Sequence, residues 1–385
     1  MIPLSKPFIE KKDLIYLKKV LNSKILTDGY FQKKCENLIK TVLNSKFVAL
    51  TNSCTAALEI SALLINLKKG DEVIMPSYGF VSIANAVVLR GAKPVFAEID
   101  PLTLNISVSD IKNKINKKTK AIYVIHYAGN SCEIEDIKKI SKLKKIYLIE
   151  DAAHAFAAKY KKKRLGTIGD IGVFSFHETK NLVSGQGGCI SINNKSLIKR
   201  ANFILDKGTN RLNFIKNFRK KIISANKNNK FYSWVDVGSE YRAPELSSAL
   251  LYSQLKKIDK IQRQRKKIWL FFKKEIKKLN TNLFRLLVPD ANSESSYHLF
   301  VIIFNSSVYA RKFMEYMQKR GIAATFHYVP LHKSKMASKN FKQRLKITEN
   351  IYNKIVRLPL FVEMNEKIIK KINSNIKSYV NEQKK

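Results

Sequence analysis

The chain has 385 residues, of which 45% are hydrophobic and 26% charged; this is globular usage, long enough for two domains and too apolar for general disorder. Lys and Arg number 72 against 30 Asp and Glu, a formal charge of +42. The excess is mostly Lys interleaved with Asn and Ile along the whole chain, whereas a reader of phosphates gathers Arg, Lys and aromatics on one stripe, so no nucleic-acid partner is expected.

In chain order, the opening MIPLSKPFIE lacks a basic start leading into an apolar stretch, and no window approaches eighteen uninterrupted apolar residues. A soluble, cytoplasmic protein without membrane insertion is expected. Short apolar runs then alternate with amphipathic segments. Strands are predicted at KFVAL ending at Leu50, EVIMP from Glu72, KPVFAEI from Lys93, KAIYVIHY from Lys120, KIYLIED ending at Asp151, IGVFSF from Ile171 and GGCISI from Gly187. Helices are predicted at CTAALEISALLIN after Ser53, VSIANAVVLRG after Phe80 and EIEDIKKISKLKK after Cys132. Alternation of this kind implies right-handed crossovers and a mostly parallel sheet covered on both faces, with its site at the strand ends.

A basic, Asn-rich stretch from Leu212 to Lys230 reads as a surface excursion. One long helix is predicted from Pro244 to about Leu279, followed by a strand HLFVIIF, a helix from Ser307 to Arg320 and a strand IAATFHY. The fold class is therefore α/β, with a large domain over 1–245 and a smaller α+β domain over 246–385. The cysteines at 35, 54, 132 and 189 form no CxxC pair, so reduced thiols and no metal site are expected.

Three segments carry candidate chemistry. GDIGVFSFHETKNLVSGQGGCI places Ser175, His177 and Lys180 just beyond a strand; the Lys180 amine can form a Schiff base if its surroundings lower its pKa, or it is one more solvated lysine. IYLIEDAAHAF puts Asp151 at the end of an apolar run and His154 three residues on. That carboxylate either pairs with the ring nitrogen of pyridoxal phosphate or caps the following turn. ALTNSCTAALEISALL puts small and hydroxyl residues at a helix start, where Cys54 and Thr55 can hold a phosphate or Ser53 and Thr55 simply cap the helix. The six histidines make no H-E-x-x-H pattern, and G-x-S-x-G, Walker A and G-x-G-x-x-G are absent.

As an ordered set, TDGYFQKKCE, TNSCTAALEISALL, GDEVIMPSYGFVSIANAVVLRGAKPVFAEID, VIHYAG, EDAAHAF, LGTIGDIGVFSFHETKN, GQGGCI, KGTNR, FHYVPLH and RLPLF resemble the DegT/DnrJ/EryC1/StrS family of sugar aminotransferases over essentially the whole chain. The resemblance implies the fold type I architecture of enzymes that use pyridoxal phosphate, with a seven-stranded sheet. It is similar in particular to the branch acting at C4 of dTDP-4-dehydro-6-deoxy-D-glucose with L-glutamate as amino donor, in surface-polysaccharide synthesis.

Carried over by that resemblance, Lys180 binds the cofactor covalently and moves the proton, Asp151 partners the ring nitrogen, and His154 neighbours the phenolic edge. Cys54 and Thr55 cradle the phosphate with Ser175, and Phe80 covers the ring. His327 and Tyr328 face the substrate. A homodimer with shared active sites is also implied, in which the region of KGTNR reaches the partner. Many relatives carry Y-N-Y where this chain has Ser239, Glu240 and Tyr241; an ionised Glu240 only accepts hydrogen bonds, so Asn210 and Arg211 are the alternatives for cofactor and substrate. The competing readings are a C3 transaminase or a sugar dehydratase, and more remotely a non-catalytic regulator on the same fold.

Overall fold

A computed structural model of the protein describes residues 1–212, 214 and 231–383, so most of the basic Asn-rich stretch lies outside the described residues. In chain order, β1 is Val48–Thr51, β2 Glu72–Pro76, β3 Lys93–Ala97, β4 Thr119–Ile125 and β5 Tyr147–Asp151. A hairpin of β6 (Lys159–Tyr160) and β7 (Lys163–Arg164) leads to β8 (Ile171–Ser175) and β9 (Gly188–Ile192). The large sheet has seven strands in the order β1-β9-β8-β5-β4-β2-β3.

Side chains alternate between two cores, as the pleat requires. Val73, Met75, Ala121, Tyr123, Ile149 and Val173 pack with helix Cys54–Leu64 and helix Ser82–Val88 on one face. Val48, Leu50, Ile74, Ile122, Val124 and Leu148 pack with helix Tyr30–Leu43 and helix Glu245–Lys256 on the other. Burial on both faces explains why the strands read as uninterrupted apolar runs.

The β2–β3, β2–β4, β4–β5 and β5–β8 pairs are parallel, but β9 is antiparallel to both β1 and β8. Between β8 and β9 the chain folds straight back, closed by the Phe176 amide to the Gly187 carbonyl (2.8 Å) and the Glu178 amide to the Gly185 carbonyl (2.9 Å). It contains no crossover helix, which a parallel connection needs.

The predicted single helix from Pro244 to Leu279 is two helices, Glu245–Lys256 and Ile258–Lys277, divided at Lys257, whose φ is −109° and ψ 8°. The break lets the first pack on helices Lys11–Ser23 and Tyr30–Leu43 while the second packs on helix Glu366–Glu382. Glu245 joins this arrangement to the N-terminal region: its carboxylate accepts from the Phe31 and Gln32 amides at the start of helix Tyr30–Leu43, where it also complements the helix dipole.

Beyond it, β10 (Phe284–Leu286), β12 (Phe300–Phe304) and β13 (Ile355–Leu358) form a three-stranded antiparallel sheet, while β11 (Ser293–Glu294) joins β6. Helices Ile258–Lys277, Ser307–Lys319 and Glu366–Glu382 cover the small sheet with their own core, including Trp269, Phe272, Phe313 and Ile376. The expected strand IAATFHY does not form. Among the described residues its only rungs are Ile322 with Ile2 and Thr325 with Arg357, and the residues after Thr325 leave the ladder to line a cavity. Among the described residues no helix is long and apolar enough to cross a membrane.

Candidate active site

β4, β5 and β8 end side by side, at Ile125, Asp151 and Ser175, and all three terminal residues line one cavity of about 900 Å³. Such a crevice at the carboxyl ends of parallel strands is where α/β sheets place their ligands. Residues from distant parts of the chain complete it: Cys54 and Thr55, Phe80, His154, Lys180, Arg265, His298, His327, Tyr328 and Arg357.

The floor is held rigidly. Glu150, fully buried beside Asp151, accepts from the Gly166 amide (2.8 Å), the Ile168 amide (2.7 Å) and His126 Nε2 (2.9 Å). Asp151 faces the other way; its Oδ1 accepts the Ala153 amide at 3.0 Å, so the turn-capping role exists alongside any role in the cavity. Burial raises the Asp151 carboxyl above its ordinary range, against the opposing pull of that amide, Lys180 and His126. Lys180 lies on the β8–β9 connection, its own amide bonded to the His177 carbonyl (2.8 Å). Burial lowers its amine below the usual lysine range, opposed by Cys54 and Asp151 and reinforced by Arg357. A half-buried amine that lines the same cavity as a buried carboxylate, beyond a strand end, separates Lys180 from the solvated lysines.

Helix Cys54–Leu64 points its N-terminus at the same cavity. Ser53 caps it, accepting the Ala56 amide at 3.0 Å; among the described residues nothing accepts from the Cys54 and Thr55 amides. The Thr55 hydroxyl meets Ser82 at 2.7 Å. Open amides at a helix start favour an anion. Gly188 makes this approach possible, since a Cβ there would stand 2.5 Å from the Cys54 nitrogen and 2.6 Å from the Ser53 carbonyl carbon. Gly188→Ala is expected to destabilise the fold by about 2 kcal/mol, as overpacking against backbone does, and to loosen anion binding at this helix. Urea unfolding and phosphate-ester binding check both; unchanged values would contradict the contact.

On the opposite wall, His327 Nδ1 meets the Tyr127 hydroxyl at 2.8 Å and its ring stacks on Tyr328 at 3.8 Å between centroids. The segment is pinned to the end of β2 through the Leu331 amide and the Ser77 carbonyl (2.8 Å), and through Ser77 Oγ and His332 (2.6 Å). Burial pushes His154, His298 and His327 well below the ordinary imidazole range, so they are neutral. His154 Nδ1 is buried without a hydrogen-bond partner. Phe80 stands at the mouth, 59% exposed, its ring 6.4 Å from that of Tyr328.

The structure thus brings together Cys54, Thr55, Phe80, Asp151, His154, Ser175, Lys180, His327 and Tyr328. It does not bring Asn210 or Arg211 into this cavity. The Asn210 side-chain Oδ1 accepts the Ser233 amide at 2.8 Å, and Arg211 is paired with Asp206 (2.9 Å) and Asp28 (3.3 Å). Glu240 forms an ion pair with Lys207, consistent with a carboxylate that holds no phosphate. Sequence reasoning missed His298, Arg265 and Arg357. RLPLF was legible as a motif, but nothing local shows that Arg357 faces Lys180 from another sheet.

The fold and the cavity together define an enzyme built around a half-buried lysine, a buried carboxylate and an anion-binding helix start at the edge of a seven-stranded α/β sheet. The profile of the DegT/DnrJ/EryC1/StrS aminotransferase family matches residues 7–377, and the chain belongs to that family; it is a pyridoxal-phosphate-dependent sugar aminotransferase. It is 32% identical to an uncharacterized protein of Methanocaldococcus jannaschii, over 99% of this chain and 98% of that one. It is 29% identical to a GDP-perosamine synthase of Escherichia coli O157:H7, over 96% of each. Among solved structures it resembles PseC of Helicobacter pylori, an aminotransferase involved in the biosynthesis of pseudoaminic acid, with a TM-score of 0.88, 28% identity and 99% of both chains covered.

The donor set fits the cofactor. The cavity holds an amine for an aldehyde, a carboxylate for a pyridine nitrogen, open helix amides for a phosphate and the unpartnered His154 Nδ1 for a further polar edge.

Proposed function

We propose that this protein transfers the amino group of L-glutamate to C4 of dTDP-4-dehydro-6-deoxy-D-glucose, giving a dTDP-4-amino-4,6-dideoxyhexose and 2-oxoglutarate, in the cytoplasm. The observation that carries the reading is the convergence of the half-buried Lys180 and the buried Asp151 in one cavity with the uncapped amides of Cys54 and Thr55. When bound, pyridoxal phosphate supplies a conjugated ring that accepts the electron pair of the carbon losing its proton.

The residues divide the rest of the work. The Cys54 and Thr55 amides, with Ser175, hold the phosphate, and Phe80 covers the ring face. Asp151 keeps the ring nitrogen protonated; the carboxylate that burial strains toward neutrality in the free cavity becomes a favourable partner once a cation stands opposite it. Lys180 is the base that takes the proton from the donor's α carbon and the acid that returns it, its Nζ releasing a proton more readily than a free lysine because burial has weakened its hold on the third one. His327 and Tyr328, held by Tyr127, hold the sugar on the opposite side. Residues 1–245 would carry the cofactor and 246–385 close over it.

A homodimer with shared sites completes the proposal. Asn210 is tied to Ser233, and next to it Phe231, Trp234 and Val237 are exposed at 84%, 77% and 54%. An apolar surface of this kind favours a partner, and it would place Asn210 and Arg211 at the partner's site.

A neutral amine is the form that attacks an aldehyde. The rate at which cofactor-free protein captures pyridoxal phosphate is therefore expected to rise with pH, with a midpoint below the value of about 10.4 for a free lysine. Stopped-flow absorbance measures it, and a midpoint at the free-lysine value would argue against a buried Lys180. The function itself is tested by adding L-glutamate to the holoenzyme and then dTDP-4-dehydro-6-deoxy-D-glucose, with a GDP-linked ketosugar in parallel. Loss and ketosugar-dependent return of the cofactor band, with one amino group in the product by mass spectrometry and its position by NMR, are the expected results. Recovery with the GDP-linked sugar alone would move the substrate assignment to that carrier.

A further inference from the structure

The carbonyls of Ser296, Tyr297 and His298 are each held by a side chain. Those of Tyr297 and His298 accept from Arg265, through Nε (3.1 Å) and Nη2 (2.6 Å), and that of Ser296 accepts from Asn181 Nδ2 (2.8 Å). A carbonyl only accepts, so the atom of the Asn181 amide that faces Ser296 is the nitrogen, and the amide oxygen is left facing His298 Nδ1 at 2.9 Å. That oxygen also only accepts, so Nδ1 carries the hydrogen. Burial keeps the His298 ring uncharged, and the charges of Lys180 and Arg265 oppose a second proton on it. A neutral imidazole with its hydrogen on Nδ1 has a bare lone pair at Nε2.

Among the described residues nothing donates to that lone pair. Unlike His154 Nδ1, which is sealed off, His298 Nε2 is open to the cavity that the residue lines, although His298 as a whole is only 6% exposed. The ring is fixed in direction as well: it packs on His154 with centroids 4.4 Å apart, and its brace, Asn181, directly follows Lys180 in the chain. An acceptor left unmet in such surroundings is costly, and a ligand that brings a hydrogen to it recovers that cost.

We propose that Asn181 sets the tautomer of His298 so that His298 Nε2 accepts a hydrogen from the nitrogen of the incoming amino donor, a contact that rests on the aminotransferase reading of the same cavity. His298 then touches the donor, and Asn181 is a positioning residue that acts through it. The choice of a nitrogen-bound hydrogen follows from where the ring stands. It packs on His154 and feels the charge of Lys180, and the donor's nitrogen has to come to the place of the Lys180 amine because it replaces that amine. The ketosugar brings a carbonyl oxygen to the same place, which is itself only an acceptor and gains nothing from a lone pair. A ring that burial keeps neutral holds the amine without keeping its proton, so the donor's own lone pair stays available for attack.

The test reads the tautomer and the contact separately. In holoenzyme carrying isotope-labelled histidine, nitrogen NMR shows which ring nitrogen holds the hydrogen, and the His298 signals are assigned by their absence from His298→Phe or His298→Gln. Hydrogen on Nδ1 is expected in the wild type, and a form with hydrogen on Nε2 is expected to appear in Asn181→Leu. Stopped-flow absorbance of the first half-reaction gives the apparent dissociation constant of L-glutamate. Its inhibition by glutarate, which has both carboxylates and no nitrogen, reports everything except the N–H contact. Cofactor content and melting temperature establish that the variants fold. Loss of a hydrogen bond to a charged group is expected to weaken L-glutamate about twenty-fold in His298→Phe and in Asn181→Leu, with glutarate within about two-fold of wild type. A wild-type His298 ring with its hydrogen on Nε2 would overturn the proposal and leave the aminotransferase reading intact. Equal losses for L-glutamate and glutarate in the folded variants, or no loss of either, would overturn the contact in the same way and leave the pair as packing. A loss confined to the ketosugar in the second half-reaction would reassign Nε2 to a sugar hydroxyl. A wild-type holoenzyme blind to L-glutamate would sink the donor reading and this contact with it.

Discussion

Lys180→Ala is expected to abolish turnover, with a loss of about 10⁴-fold or more, because one substitution removes both a nucleophile and the positioned acid–base group. The variant should fold, since the methyl group that remains lies on a loop closed by backbone bonds of Phe176, Glu178 and Lys180 itself. It should still take up pyridoxal phosphate through the helix amides and Asp151, without the covalent absorbance band. Single-turnover assays with L-glutamate, a spectrum of the loaded protein and its melting curve separate these effects. Normal turnover in a well-folded variant would remove Lys180 from the chemistry.

Asp151→Asn carries the second large effect. The amide keeps the size of the side chain and can still accept the Ala153 amide, so the turn after β5 should survive. It cannot balance a protonated ring nitrogen, and electrostatic groups aimed at developing charge are worth about 10²- to 10³-fold when removed from a dry site. Proton transfer should slow by that factor while cofactor stoichiometry stays near wild type. The deuterium isotope effect on the half-reaction with 2-deutero-L-glutamate should grow as the proton step becomes limiting. An unchanged rate would leave Asp151 as a turn cap and nothing more. Both variants draw on the same feature, the juxtaposition of an amine and a carboxylate that burial moves toward neutrality from opposite directions.

The cavity itself is governed by a few groups: Lys180, Arg265 and Arg357 against Asp151, with three neutral histidines beside them.

The strands of the large sheet were legible because a strand buried on both faces must be apolar throughout and must be bounded by turn residues. β2, β4, β5 and β8 fall within a residue or two of their predicted runs. Lys180, Asp151 and the helix start at Cys54 were legible for a related reason. Each follows directly on a strand or opens a helix, so local sequence already places it at the sheet's edge. What local sequence could not carry was direction and distance. The reversal of β9 depends on a loop that folds on itself, and the division of the long helix at Lys257 depends on two different surfaces waiting for its halves. IAATFHY has the composition of a strand, yet His327 and Tyr328 leave the ladder because a cavity wall and the Tyr127 hydroxyl are there to receive them.

By itself, then, the sequence determined the α/β alternation, the family and the residues that one strand end or helix start presents. Only the tertiary structure decided that Arg265 is spent on carbonyls, that Arg211 is neutralised outside the cavity and that Arg357 enters it unpaired. The physical reason is that hydrophobic periodicity is written into neighbouring residues, whereas the partner of a charge is chosen across the whole chain by whichever elements the core brings within a few ångströms.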